Sequence, residues 1–160
     1  MDFSNFFDYG AETPAPSKNT ALVFLPQCSA QEWDQLLAVA ERRAVRAGEV
    51  VVQQGETSRA FYIVASGLLK VVLQHPTGQE HVISEIAALS IFGEQAFFDG
   101  LPRSASVRAM QDSEVYAISF ERFEVLAGHQ PELARMALID LGRIVSLRLR
   151  EMNELVFKGR

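Results

Sequence analysis

The sequence has a single cysteine in 160 residues, Cys28, which excludes an intrachain disulfide and a thiolate metal cluster and suits a reducing compartment. Positive charge is also in deficit: 15 Lys and Arg stand against 20 Asp and Glu, for a formal net charge of -5. A surface that neutralises nucleic-acid phosphates has the opposite balance, so no direct DNA binding by this chain is expected. No apolar run approaches the roughly 18–20 residues of a membrane span. The N-terminal MDFSNFFDYGAETPAPSKNT lacks the basic flank and continuous apolar core of a signal peptide. A cytoplasmic protein without membrane contact is the expectation. His75, His81 and His129 share no metal-site spacing, and neither G-x-S-x-G nor H-E-x-x-H occurs, so neither a metal nor an enzyme activity is expected.

What is present suits one domain with its own core. Residues 1–20 mix Pro, Ser, Asn and Thr without a period and read as a flexible N-terminal arm before a domain over 21–160. In SAQEWDQLLAVAERR, Ser29 and Glu32 have capping-box spacing, and Trp33, Leu36, Leu37 and Ala40 follow at helical intervals. From Glu49 to Ile118 the runs EVVVQQ, AFYIVAS, LLKVVLQH, EHVISEIA and SEVYAIS alternate with glycine-bearing turns. They predict a mainly β fold, a small antiparallel barrel or jelly roll, with flanking helices. ERFEVLAGHQ reads as a short helix. Pro131 opens a long C-terminal helix from about 131, along which Leu138, Leu141, Val145, Met152 and Leu155 form a seam interrupted by Arg148. Such a seam suits packing on the barrel and pairing across a homodimer.

The segment FGEQAFFDGLPRSASV, Phe92 to Val107, is too long for a turn between strands. Gly93 permits close backbone approach, Glu94 to Phe98 form one predicted helical turn, and Arg103 brings a guanidinium beside the small Ser104, Ala105 and Ser106. These parts suit a phosphate cradle. A carboxylate beside a phosphate is repulsive unless it meets a hydroxyl donor, so Glu94 points to a nucleotide rather than free phosphate.

Phe92, Gly93, Glu94, Pro102, Arg103, Ser104, Ala105, Ser106 and Val107 match the pattern FGE…PR[ST]A[ST]V. The segment therefore resembles the phosphate-binding cassette of cyclic nucleotide-binding domains. The resemblance runs from about Leu22 to Val156, and the long helix is similar to that of bacterial regulators of the catabolite activator protein type. It implies a β-barrel of the double-stranded β-helix or jelly-roll kind and a cyclic nucleotide ligand, with cyclic AMP expected. By the same resemblance Arg103 pairs with the cyclic phosphate and Glu94 accepts from the ribose 2′-hydroxyl. Gly93, Ser104 and Ala105 supply backbone and hydroxyl contacts. Gln95 stands where many members have an apolar residue. The candidate ligand-binding set is Phe92, Gly93, Glu94, Gln95, Ala96, Arg103, Ser104 and Ala105, with Arg148 from the long helix. Arg148 is expected either to cap the purine or to turn out to solvent or Glu151.

The resemblance also implies that binding shifts a hinge around Phe120 to Gln130 and the long helix, so that an unknown effector protein reads the change. Family regulators continue into a helix-turn-helix domain, whereas this sequence stops at Arg160. Two expectations follow, a stand-alone sensor or the sensor half of a DNA-binding transcription regulator, with cyclic GMP or a cyclic dinucleotide as alternative ligands. Because Arg103 falls in a loop, its replacement is expected to cost ligand affinity and spare the fold.

Overall fold

The computed structural model describes residues 22–159, so the arm expected over 1–20 lies outside the described residues. The Ser29 hydroxyl accepts from the Glu32 amide at 3.2 Å and starts helix α1 (Ala30–Leu37), which buries Trp33, Leu36 and Leu37. Ala40 does not extend this face. Instead the following ERRAV forms strand β1 (Glu41–Val45), in which only Val45 is buried. An edge strand with one buried residue has no alternation, which is why its sequence passes for the charged tail of a helix.

The remaining strands are β2 (Val50–Val52), β3 (Ala60–Ser66), β4 (Leu68–Gln74), β5 (Glu80–Ala87), β6 (Ile91–Phe92), β7 (Ser106–Ala109) and β8 (Ser113–Ser119). They form two four-stranded antiparallel sheets, in the orders β1-β8-β3-β6 and β2-β7-β4-β5. Eight strands in two sheets fit the jelly-roll expectation. The closed barrel is corrected: among the described residues no strand pairing joins one sheet to the other. Closure would have to run through sheet edges, and the edge strands β6 and β2 are two and three residues long, too short to carry a ladder across.

β3 and β8 are buried on both faces, and their alternation feeds two cores. Phe61, Ile63, Tyr116 and Ile118 face a helical layer that includes Leu36, Phe97, Phe123, Leu141 and Ile144. Tyr62, Val64, Val115 and Ala117 face the inner space, where they meet Val52, Leu69, Ile86, Phe92 and Val107 of both sheets. The helical layer comprises α1, α2 (Glu94–Asp99), α3 (Phe120–His129) and α4 (Pro131–Lys158), with Pro131 in the first turn of α4 as expected.

The buried stripe of α4 is Leu133, Ala134, Ala137, Leu141 and Ile144. Of the expected seam only Leu141 is fully buried, while Leu138, Met152 and Leu155 are exposed. Every residue from Leu149 to Gly159 is exposed, so the last three turns of α4 bury no side chain. Its middle also holds the chain entering α1: the Leu25 amide donates to Asp140 Oδ2 at 2.7 Å, and Arg143 donates to the Val23 carbonyl at 2.7 Å.

Cys28 is buried beside α1, and burial, reinforced by Glu32 and Asp140, pushes its thiol up to about 12. The thiolate is the reactive form, so Cys28 is expected to resist a disulfide-exchange reagent at pH 8 in the folded protein and to react rapidly in denaturant. Rapid reaction in native buffer would contradict this. Because an unfolded thiol titrates near 8.5, its contribution to stability is intact at neutral pH and is lost as pH rises from about 8.5 toward 12.

Candidate functional site

All nine candidate residues line one cavity of about 390 Å³, within the range of roughly 300–1,000 Å³ found for small-molecule pockets. Part of its wall is apolar, with Val52, Val71, Leu73, Ile83 and Val107 from the β2-β7-β4-β5 sheet and Met152 and Leu155 from α4. The rest is polar and charged, built from the β6–α2 junction and the loop before β7. The cavity thus has one apolar side and one polar, charged side.

Gly93 joins β6 to α2 with φ +80°, a left-handed conformation that disfavours any residue with a Cβ. A Cβ there would lie 2.8 Å from Arg103 Nη1 and 3.1 Å from the Ala60 carbonyl oxygen. Gly93→Ala is therefore expected to lower stability by about 2 kcal/mol or more through backbone strain and displacement of the guanidinium. An unchanged urea midpoint would refute that close approach.

Arg103 is only 4% exposed. Its Nη1 donates to the Gly93 carbonyl at 2.9 Å, Nη2 to the Ala60 carbonyl at 2.9 Å and Nε to the Ser58 hydroxyl at 3.0 Å. The guanidinium also lies 5.9 Å from the centroid of the Tyr62 ring. These three bonds use three of its five N–H groups, all on neutral acceptors, and no carboxylate among the described residues pairs with it directly. Burial pulls its pKa below the usual guanidinium value, against the opposing pull of Tyr62, Glu56 and Glu94. The expectation of a loop cation separable from the fold is corrected: Arg103 crosslinks the start of β3, the cap of α2 and the turn before β3.

Glu94 opens α2 and is 6% exposed. Its Oε1 accepts from Arg148 Nη1 at 2.7 Å, and Arg148 Nη2 donates to the Ile91 carbonyl at 2.5 Å. Arg148 finds the acceptor that its seam position demands, but the partner is Glu94, and the outward turn to solvent or Glu151 is corrected. The Ser104 hydroxyl donates to Gln95 Oε1 at 2.8 Å, so the unusual polar residue at position 95 ties the two halves of the cassette together. Phe92 stacks on Tyr62 at 4.7 Å beneath the junction.

Sequence reasoning missed several contributors. Ser58 and the Ala60 carbonyl hold Arg103, and the only sequence signal for them is the GETS turn. Arg59 donates to the Phe97 and Phe98 carbonyls at 2.8 and 2.9 Å and lies 3.6 Å over the Phe120 ring, joining the end of α2 to the start of α3. The apolar wall residues alternate along their strands, yet they become a wall only once the sheet order is known.

The jelly-roll fold and its cassette define a ligand-binding regulatory domain, and comparison with known proteins places it. The chain belongs to the cyclic nucleotide-binding domain family, whose model, described as Cyclic nucleotide-binding domain, matches residues 42–130. It is 32% identical over 123 residues to a Cyclic AMP receptor protein of Thermus thermophilus, a match spanning 77% of this chain and 55% of that protein. Against the crystal structure of Thermus thermophilus Catabolite Activator Protein the TM-score is 0.73 at 30% identity, covering 84% of this chain and 62% of that one. A cyclic nucleotide-binding domain from Methylobacillus flagellatus shares the fold with a TM-score of 0.78 at 21% identity, covering 89% of this chain and 82% of that one. Among the described residues no helix is long and apolar enough to cross a membrane.

Proposed function

We propose that the chain is a cytoplasmic sensor of a 3′,5′-cyclic nucleotide, with cyclic AMP as its ligand, which transmits occupancy through α4 without chemical turnover. The observation that carries this reading is Arg103, a buried cation lining the cavity with no carboxylate of its own among the described residues. A cyclic phosphate has one negative charge, which offsets that buried charge and takes the remaining N–H groups. Glu94 receives the 2′-hydroxyl, Gly93, Ser104 and Ala105 contribute backbone and hydroxyl contacts, and Phe92, Gln95, Ala96 and Arg148 complete the wall. The base lies against Val71, Leu73 and Ile83. The name of the Thermus relative supports cyclic AMP. The exposed apolar residues Leu149, Met152, Leu155 and Phe157 support a homodimer through α4, whose changed position an effector protein reads.

Calorimetric titration with cyclic AMP, cyclic GMP and cyclic dinucleotides tests the reading. Saturable binding with cyclic AMP preferred is expected. No binding by any of them would overturn it, and preference for another ligand would overturn the choice of cyclic AMP. The chain spans 55% of the Thermus relative, which favours a second reading as the sensor part of a DNA-binding transcription regulator. The coding sequence downstream of the Arg160 codon separates the two.

A further inference from the structure

The two halves of the cassette meet through side chains at two points. In the buried one, Arg103 Nη1 donates to the Gly93 carbonyl at 2.9 Å. In the exposed one, the Ser104 hydroxyl donates to Gln95 Oε1 at 2.8 Å. All four residues line the cavity. The exposed contact decides which donors are left for a ligand. A serine hydroxyl has one proton, and here Gln95 takes it. A carboxamide has one acceptor oxygen and two N–H donors; with Oε1 held by Ser104, no acceptor among the described residues takes an N–H of Nε2. An anion entering the cavity therefore meets a Ser104 proton already engaged and a Gln95 amide group that is not. The opposite setting of the carboxamide, with Nε2 on Ser104 Oγ, would present the negative end of its dipole to the anion.

We infer that Gln95 is a specificity-determining contact for the anionic group of the ligand: its Nε2 donates to one exocyclic phosphate oxygen, and Ser104 is the positioning residue that holds the carboxamide in that setting. The inference rests on the proposed cyclic nucleotide reading, and it routes the hydroxyl contact of Ser104 through Gln95. An apolar residue at position 95 could neither hold the Ser104 proton nor donate to the ligand. The two donors then differ in what they recognise. Arg103 is buried and charged, so it responds to the charge of the phosphate. Gln95 is exposed and neutral, so it responds to an oxygen lone pair in one direction. The two exocyclic oxygens of a cyclic phosphate share one charge and differ in direction, and Gln95 distinguishes them.

The experiment titrates the full chain with cyclic AMP and with the two diastereomers of its phosphorothioate, in which sulfur, a weak acceptor, replaces one exocyclic oxygen or the other. Weak ligands are read by displacement of cyclic AMP. The variants are Gln95→Leu, Gln95→Glu, Ser104→Ala and the Gln95→Leu/Ser104→Ala double variant. Gln95→Leu is expected to weaken cyclic AMP by about five- to tenfold, the low end for a bond to an ionised group because water competes at an exposed site. One diastereomer should weaken by the same factor. The other, whose sulfur replaces the oxygen that Nε2 meets, should weaken by about twofold or less. Gln95→Glu keeps an oxygen for Ser104 but exchanges the amide group for an anionic oxygen, so its loss should be larger, about thirtyfold or more. Ser104→Ala should lose no more than Gln95→Leu, and the double variant should match Gln95→Leu, since the hydroxyl acts through the carboxamide. Both side chains are exposed, so melting of the ligand-free variants should stay within about 2 °C of the unaltered protein. Unchanged or tighter binding of cyclic AMP to Gln95→Leu would overturn the inference, the latter because Gln95 would then be withholding the Ser104 proton from the ligand. So would equal losses for all three ligands, which mark a structural role, and so would losses that add in the double variant, which mark direct donation by Ser104. Failure of the unaltered protein to bind cyclic AMP would overturn the ligand reading together with the inference, whereas binding that Gln95→Leu leaves unchanged overturns only the role of Gln95.

Discussion

Arg103→Ala is expected to lose most cyclic nucleotide affinity and a substantial part of the domain's stability together. The affinity loss follows from the charge-assisted bonds to a phosphate proposed above, worth about 1.5–3 kcal/mol, or roughly ten- to a hundredfold. The stability loss follows from what the guanidinium does without ligand. It satisfies the Gly93 and Ala60 carbonyls and the Ser58 hydroxyl in a buried position, and unsatisfied buried groups cost about 1–3 kcal/mol each where water does not replace the donor. A net loss of about 2–4 kcal/mol is expected, seen as a fall of roughly 5–15 °C in melting temperature. Arg103→Lys keeps the charge but cannot span three acceptors in a plane, so it should retain some affinity and little of the crosslink. Melting at the original temperature with lost binding would show that the three bonds contribute nothing to the fold.

Phe61→Ala is expected to be the most destabilising single truncation at the site's support. Phe61 is fully buried and meets the rings of Phe97, Phe24 and Phe123 edge-on at 4.9, 5.9 and 6.3 Å. Truncating a buried Phe costs about 3–5 kcal/mol, a large share of the 5–15 kcal/mol typical of a domain. Phe97 belongs to α2, so the cavity left behind lies directly beneath the cassette. Chemical denaturation should show a lower midpoint with an unchanged slope. Phe61→Leu fills most of the space and should cost about 1.5 kcal/mol or less. A small effect from Phe61→Ala would mean that the ring cluster collapses freely around the gap.

The helices and the cassette were legible because each is written in local text. Ser29 with Glu32, Pro131, and the glycine at position 93 are signals read within a few residues, and the structure places the corresponding caps and turns there. Strands β3 and β8 were legible through their β-branched and aromatic runs. β1 was not, since four of its five residues face solvent at a sheet edge. β7 was hidden because it begins inside a segment read as an anion loop. The partners of Arg148 and two of the three partners of Arg103 lie 43 to 57 residues away, and no local pattern encodes them. That is why Arg103 read as a detachable loop cation and why Glu94 was not among the partners expected for Arg148.

The strand order has a kinetic consequence. β1 and β3 both pair with β8, and β2 pairs with β7, so the first third of the sheet text must find its last third, while among the described residues only β4 and β5 form a local hairpin. Pairing this remote places folding in the range of roughly milliseconds to seconds. The cavity is a late product of that search, because Arg103 reaches back to Ser58 and Ala60, and Glu94 waits for Arg148 on the final helix. A nucleotide then finds nothing to hold in the transition state. Its stabilisation falls on the native side of the barrier, so it should slow unfolding in proportion to occupancy while the refolding rate stays the same. Ligand that also hastened refolding would mean that the cassette is assembled before the strands close.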